Sequence, residues 1–219
     1  MYKRQILDHL VQELRHGHGL DIIHTNRKQK KARNPGGGIC VVFRKNLVQL
    51  KLYTFRKNGC ELVACKGKFK QDGRSAIIIG AYIPPGLTKG RQDAYRDALH
   101  DLITKFKIEE KNPHIILAGD MNRCDLSECL SDFLDIEQLN TPPTRGDAHL
   151  EEIYTNLNTN INSCQTKPPL QNNEGSTSDH LTLLVRSSIP RRHNFDWIIY
   201  HARDMRKADR LGFMEEYAR

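Results

Sequence analysis

Several features are missing from this chain, and each absence narrows its class. No apolar run approaches the ~20 residues that a membrane-spanning helix requires. No secretory pattern opens the sequence, because Met1 leads into a polar, helix-like segment. The six cysteines, Cys40, Cys60, Cys65, Cys124, Cys129 and Cys164, contain no C-x-x-C pair. Two pairs are five residues apart (60/65 and 124/129), which is not a zinc signature, and no histidine follows at ligand distance. The expectation is reduced thiols of structural or incidental role in an intracellular compartment, nucleus or cytoplasm, with no membrane partner. Internal repeats and low-complexity segments are absent as well, which argues against solenoid architectures.

What is present fits one large domain, or one domain with a tail. The chain has 219 residues, 38% of them hydrophobic and 27% charged, so it is polar but able to build a core. Its net charge of +8 favours a polyanionic partner, of which nucleic acid is the commonest. The excess is uneven. Arg27, Lys28, Lys30, Lys31 and Arg33 form one basic run, and Arg191 and Arg192 begin another. The first run is a candidate nucleic-acid contact; a solvated loop is the alternative reading.

Hydrophobic spacing gives a coarse map. Residues 5–14 have one apolar helical face (Ile6, Leu7, Leu10, Val11, Leu14). Strands are expected at 20–24, 39–43, 49–55 and 60–66, with Asn58-Gly59 as a hairpin signal between the last two. A buried strand spans 76–83 and stops at Pro84-Pro85-Gly86. Residues 91–107 form the clearest helix, with Tyr95, Leu99, Leu102, Ile103 and Phe106 on one stripe. A strand at 114–118, a short helix at 126–134, and strands at 150–155, 160–164 and 181–186 follow, with loops at 141–146 and 166–177. Residues 190–219 are charged and read as a separate tail, helical in part. Many strands with one major crossover helix indicate a mixed α/β sandwich, with sheets packed face to face and helices outside.

Two short motifs carry the chemistry: AGDMN at 118–122 and STSDH at 176–180. Each sits at a strand end and places a carboxylate beside a second polar group, Asp120 with Asn122 and Asp179 with His180. Such strand ends can converge on one point. Phosphodiester hydrolysis needs that combination: a metal-holding carboxylate, a water activator and a donor to the phosphate. Bland readings exist for each residue. Asp120 could cap a turn, His180 could be a satisfied core histidine, and Tyr82, at the end of the strand 76–83, could be core.

Taken in series, GGGICVVF, IIIGAYIPP, HIILAGDMN, PTRGDAHLEEIYTN and STSDHLTLLV resemble the endonuclease/exonuclease/phosphatase family. The nearer likeness is to the apurinic-endonuclease-like domain of non-LTR retrotransposons, which precedes a reverse transcriptase domain. The motifs run over roughly residues 20–187. The resemblance implies a four-layer, DNase I-like α/β sandwich with a magnesium-dependent site at one edge, manganese being the alternative ion, and DNA as substrate. It implies that Asp120 positions or deprotonates the attacking water, that Asn122 orients it, and that Tyr82 bonds the scissile phosphate. By the same likeness Asp179 lies next to the metal and His180 contacts a phosphoryl oxygen, its ring held by a carboxylate.

Two departures from the family pattern matter. The family opens with a strand carrying an asparagine and a second ending in a metal-binding glutamate, both preceding a helix like 5–14. No equivalent is visible; Glu13 lies within the helical pattern and is a poor candidate. The expectation is therefore a domain over 1–187 lacking its first strands, with 188–219 as a basic linker towards the polymerase. Second, Leu150-Glu151-Glu152-Ile153 stands where the family has L-D-x-I, so Glu151 would hold His180 with an extra methylene. A catalytically dead fragment that binds nucleic acid through its basic face stays open as the alternative function.

Overall fold

The computed structural model describes residues 20–26, 38–44, 48–57, 60–68, 74–157, 161–169 and 179–187. The expected helix at 5–14, the basic run at 27–33, the Asn58-Gly59 turn and the tail from 190 lie outside the described residues. The described strands are β1 (Leu20–Asn26), β2 (Gly38–Arg44), β3 (Val48–Lys57), β4 (Cys60–Lys68), β5 (Ser75–Tyr82), β6 (His114–Asp120), β7 (Glu137–Gln138), β8 (Glu151–Thr155), β9 (Ile161–Lys167) and β10 (Thr182–Ser187). Two helices accompany them, α1 (Lys89–Glu109) and α2 (Ser127–Leu134).

The centre is a six-stranded mixed sheet in the order β3-β4-β5-β6-β8-β7. Strands β5 and β6 are parallel, and α1 crosses between them. That follows from sequence: adjacent parallel strands need a crossover, and the stretch between them carries the strongest helical stripe. Two antiparallel pairs, β1-β2 and β9-β10, stand apart from this sheet.

Alternation along the strands divides the sheet into two faces. One face carries Leu62, Ala64, Ile77, Ile79, Ala81, Ile115, Leu117 and Tyr154, and packs on Tyr95, Leu99, Ile103 and Phe106 of α1 and on Leu130 and Leu134 of α2. The opposite face packs Val63, Cys65, Ala76 and Ile78 on Ile23, Ile39, Val41 and Phe43 of the β1-β2 pair. Further along it, Ala118 and Ile153 meet Ile161, Leu183 and Val185 of the β9-β10 pair. Gly80 lets the β1-β2 pair come close to this face, since a Cβ there would lie 2.8 Å from Ile39 Cγ2.

Strand β6 runs through Asp120, two residues beyond the expected end at 118. Gly119 is needed for proximity, not for a turn: a Cβ there would lie 1.9 Å from the Ala81 carbonyl oxygen. The two-residue strand β7 has no apolar alternation and pairs only by its backbone with β8, so periodicity could not reveal it. The six cysteines are free thiols. No helix among the described residues is long and apolar enough to cross a membrane.

Candidate active site

Register alone brings four polar side chains into one row. Glu61 on β4 pairs with Tyr82 on β5, Tyr82 with Asp120 on β6, and Asp120 with Glu151 on β8. Directly paired residues project to the same side of a sheet. All four therefore share the face covered by the β1-β2 and β9-β10 pairs, at the end where β5 and β6 finish. Asp120 and Glu151 are 2% and 8% exposed, so both carboxylates are taken almost wholly out of water. Burying such charges is costly without compensating partners, and acids kept there invite a functional reading.

His180 completes the centre from the other side. It precedes β10, and its Nδ1 contacts Glu151 Oε1. The extra methylene of Glu151, relative to the family's aspartate, does not prevent this pair from forming. With Nδ1 committed to the carboxylate, Nε2 is the ring nitrogen on the Asp179 side, 3.7 Å from its Oδ1. Ligand atoms of Asp120, Glu151 and His180 all lie within 4.8 Å of one another.

A threonine that sequence reasoning passed over as loop ties the two halves together. Thr144 is fully buried. Its hydroxyl accepts from the backbone N–H of Leu150 (3.2 Å) and of Glu151 (3.3 Å). Its carbonyl accepts from Leu181 N–H at 2.8 Å. One residue thus fixes the start of β8, with Glu151, and the segment entering β10, with His180. The Pro-Pro-Thr-Arg-Gly stretch gave a turn signal and nothing about this hydroxyl. Glu61 was also overlooked, reading as one polar residue in an alternating strand; it is 3% exposed.

The remaining expected residues fall around the same centre. Asn122 sits two residues past Asp120, and its Nδ2 donates to the Ile83 carbonyl at 2.9 Å. Asn122 and Arg123 both adopt positive φ (45° and 66°), so the chain turns sharply after β6. The Asp120 carbonyl accepts from Ile83 N–H and Met121 N–H donates to the Leu150 carbonyl, which clamps this turn to its neighbours (2.9 and 2.8 Å). Tyr82 is half-buried, beside Asp120. Asp179 stands at the rim: its Oδ2 pairs with Arg145 Nη2 at 2.6 Å, and its Oδ1 lies 3.7 Å from His180 Nε2. The residue expected beside the metal therefore lies next to the buried trio rather than within it. Arg27, Lys28, Lys30, Lys31 and Arg33 are outside the described residues.

A fourth buried acid, Glu152, lies on the helix face. Desolvation holds its carboxyl above the usual carboxylate range, opposed by the hydroxyl of Tyr154, which donates to Glu152 Oε2 at 2.5 Å. Burial pushes the Tyr154 phenol up in turn.

The fold and these positions define a DNase I-like α/β sandwich with an acid–imidazole centre at one sheet edge. The chain belongs to the endonuclease/exonuclease/phosphatase family, which it matches over residues 4–207. Its members hydrolyse phosphoester bonds. Curated protein sequences give no match. Among solved structures, the chain is similar to the family protein from Bacteroides vulgatus (17% identity, TM-score 0.57, covering 81% of this chain and 80% of that one). It is similar to the family protein from Bacteroides thetaiotaomicron (12% identity, TM-score 0.58, covering 82% and 79%). A third similar structure is D. rerio TDP2 complexed with single strand DNA product (12% identity, TM-score 0.52, covering 79% of each chain). At these identities the likeness is one of fold.

The donor set suits a divalent cation. Asp120 and Glu151 offer oxygen ligands of the kind hard cations take. Glu151 Oε2 is buried and has no hydrogen-bond partner among the described residues, so the site as built has an acceptor to spare.

Proposed function

We propose that this chain is a metal-dependent nuclease that hydrolyses DNA phosphodiester bonds, derived from the endonuclease domain of a non-LTR retrotransposon that nicks DNA for insertion. The observation that carries the reading is the meeting of Asp120, Glu151 and His180 at the carboxyl end of β6, within 4.8 Å. In this reading Asp120 takes the proton of the attacking water, and Asn122 orients that water. Glu151 holds His180 Nδ1–H, which fixes the tautomer and aims Nε2 at a phosphoryl oxygen. The Tyr82 hydroxyl donates to another oxygen of the same phosphate. Magnesium, or manganese in its place, would be held by Asp120 and Glu151 with Asp179 beside them, and would supply charge stabilisation to the phosphoryl oxygens. In a full-length parent the partner domain is a carboxy-terminal reverse transcriptase.

Three observations favour nucleic acid over a soluble phosphoester. The net charge is +8. The retrotransposon-like R-G-x-x-x-L-E-x-I-Y-T-N pattern spans residues 145–156. A structurally similar protein, TDP2, is complexed with single strand DNA product. The test is incubation of the chain with supercoiled plasmid and magnesium, beside Asp120→Ala. Nicking by the parent and not by the variant is expected. Equal nicking by both overturns the proposal, and salt-dependent DNA binding without nicking by either would favour a non-catalytic binding fragment instead.

A further inference from the structure

We propose that Arg145 is a nucleic-acid contact of this site, binding a backbone phosphate next to the scissile one through the N–H groups that Asp179 does not occupy. The inference rests on the nuclease reading above and extends it to a residue with no assigned role.

Position is the first argument. Arg145 Nη2 lies 2.6 Å from Asp179 Oδ2, and the other oxygen of that carboxylate lies 3.7 Å from His180 Nε2. The guanidinium is thus one carboxylate away from the ring nitrogen that faces the scissile phosphate. A neighbouring phosphate of the same strand would fall beside it.

The second argument is rigidity. Thr144 N–H and Arg145 N–H both donate to the Ala148 carbonyl (2.9 and 3.1 Å), and Ala148 N–H returns a bond to the Arg145 carbonyl (3.0 Å). Gly146, at φ 57°, lets this turn close. Thr144 anchors the turn to Glu151 and Leu181. The backbone bearing Arg145 is therefore fixed relative to the catalytic pair, as a phosphate clamp requires.

Chemistry is the third. A guanidinium carries five N–H donors in a planar fork suited to phosphate. Among the described residues, Asp179 is the one side chain paired with it. Side-chain exposures of 50% for Arg145 and 58% for Asp179 leave the remaining donors open to an incoming ligand. An ion pair this exposed contributes little to stability, so stability does not account for its placement. Charge balance does: Asp120, Glu151 and Asp179 together would repel an anion, and Arg145 offsets the carboxylate nearest the rim.

The experiment measures binding of the full chain to a labelled DNA duplex without divalent metal, across a range of salt concentrations. Four variants stand beside the parent: Arg145→Gln, Arg145→Lys, Asp179→Asn, and the remote control Lys105→Gln on α1. Loss of one phosphate contact should lower the slope of log K against log salt by about one in Arg145→Gln. Arg145→Lys and Lys105→Gln should keep the parental slope. Asp179→Asn frees Arg145 without removing its charge, so it should bind several-fold more tightly at low salt. Melting temperatures identify any variant that is merely unfolded, and Asp179→Asn tests the proposal even then. A parental slope in Arg145→Gln, or weaker binding by Asp179→Asn, overturns this inference and leaves the nuclease reading standing. Absence of salt-dependent binding by the parent also overturns this inference, and the nuclease reading is then decided by plasmid nicking beside Asp120→Ala.

Discussion

The two ends of the central sheet handle buried charge in opposite ways. At one end, Glu110 just past α1 pairs with Lys66 on β4 and accepts from the Ser75 hydroxyl at the start of β5. These hydrogen bonds, the lysine's first, hold the Glu110 carboxyl below the usual carboxylate range. At the other end Asp120 and Glu151 are more deeply buried, and the basic group that contacts Glu151 is an imidazole. A paired acid that ties a helix end to a sheet is a structural fixture. Glu151 has one oxygen on His180 and the other without a hydrogen-bond partner among the described residues, which leaves capacity for a cation beside the histidine. A lysine partner at one end and an imidazole partner at the other separate fixture from site, although the acids are of the same kind.

Asp120→Ala is the sharpest way to break that contrast. Removing a general base costs roughly 10²–10⁴-fold in rate, so plasmid nicking should fall by about 10³-fold. The melting temperature checks that the variant is still folded. Glu110→Gln should do the reverse, keeping the nicking rate while lowering the melting temperature. If Glu110→Gln abolished nicking as well, the division of labour between the two ends would be wrong.

Gly119→Ala tests the backbone that sets the catalytic end. The added Cβ would meet the Ala81 carbonyl at 1.9 Å, a contact with main chain that no rotamer relieves. Overpacking in a core costs ~1–3 kcal/mol, and this position belongs at the upper limit, about 3 kcal/mol by denaturant unfolding. A variant with parental stability would mean that β5 and β6 can separate freely.

Glu151→Asp sharpens the comparison at the imidazole. The carboxylate of Glu151 already reaches His180 Nδ1. Shortening it by a methylene restores the residue type expected from the family but withdraws the acceptor by ~1 Å, and misplacement on that scale costs about a hundredfold in rate. Steady-state nicking rates at saturating DNA check this. Unchanged rates would show that the segment before β10 follows the shorter side chain.

Much of this arrangement was legible in the sequence because the signals were periodic. The stripe Tyr95, Leu99, Ile103, Phe106 placed α1, and alternation placed β4. The apolar run into Gly119-Asp120 placed the acid at a strand end. Thr144 and Arg145 were not legible in role. Their contacts, to Glu151, Leu181 and Asp179, join segments that are separate in sequence and reach each other only through the fold. Glu61 escaped for the same reason: its place in the row with Tyr82, Asp120 and Glu151 is a property of strand register, not of its neighbours in the chain. The meaning of Gly119 also had to come from the structure, since a glycine at a strand end reads as a stop signal until the opposing carbonyl is seen.

The smallest expected effect separates the two charged fixtures by pH. Desolvation raises the Glu152 carboxyl in the folded protein. An acid raised in this way contributes stability that is fully present below its unfolded value and is lost as pH rises through its folded one. Glu110 is lowered instead, so its contribution is present above its unfolded value and is lost as pH falls through the folded one. Relative to the parent, Glu152→Gln should therefore gain in melting temperature as pH climbs from the acid range towards neutrality. Its amide oxygen still accepts from Tyr154, so the packing is retained and the charge alone is removed. Glu110→Gln should be less stable than the parent at neutral pH, and that deficit should close as pH falls below the ordinary carboxylate range. Melting curves of the three proteins over that range check both signs at once. If both variants shifted in the same direction, burial and pairing would not be the features that distinguish Glu152 from Glu110.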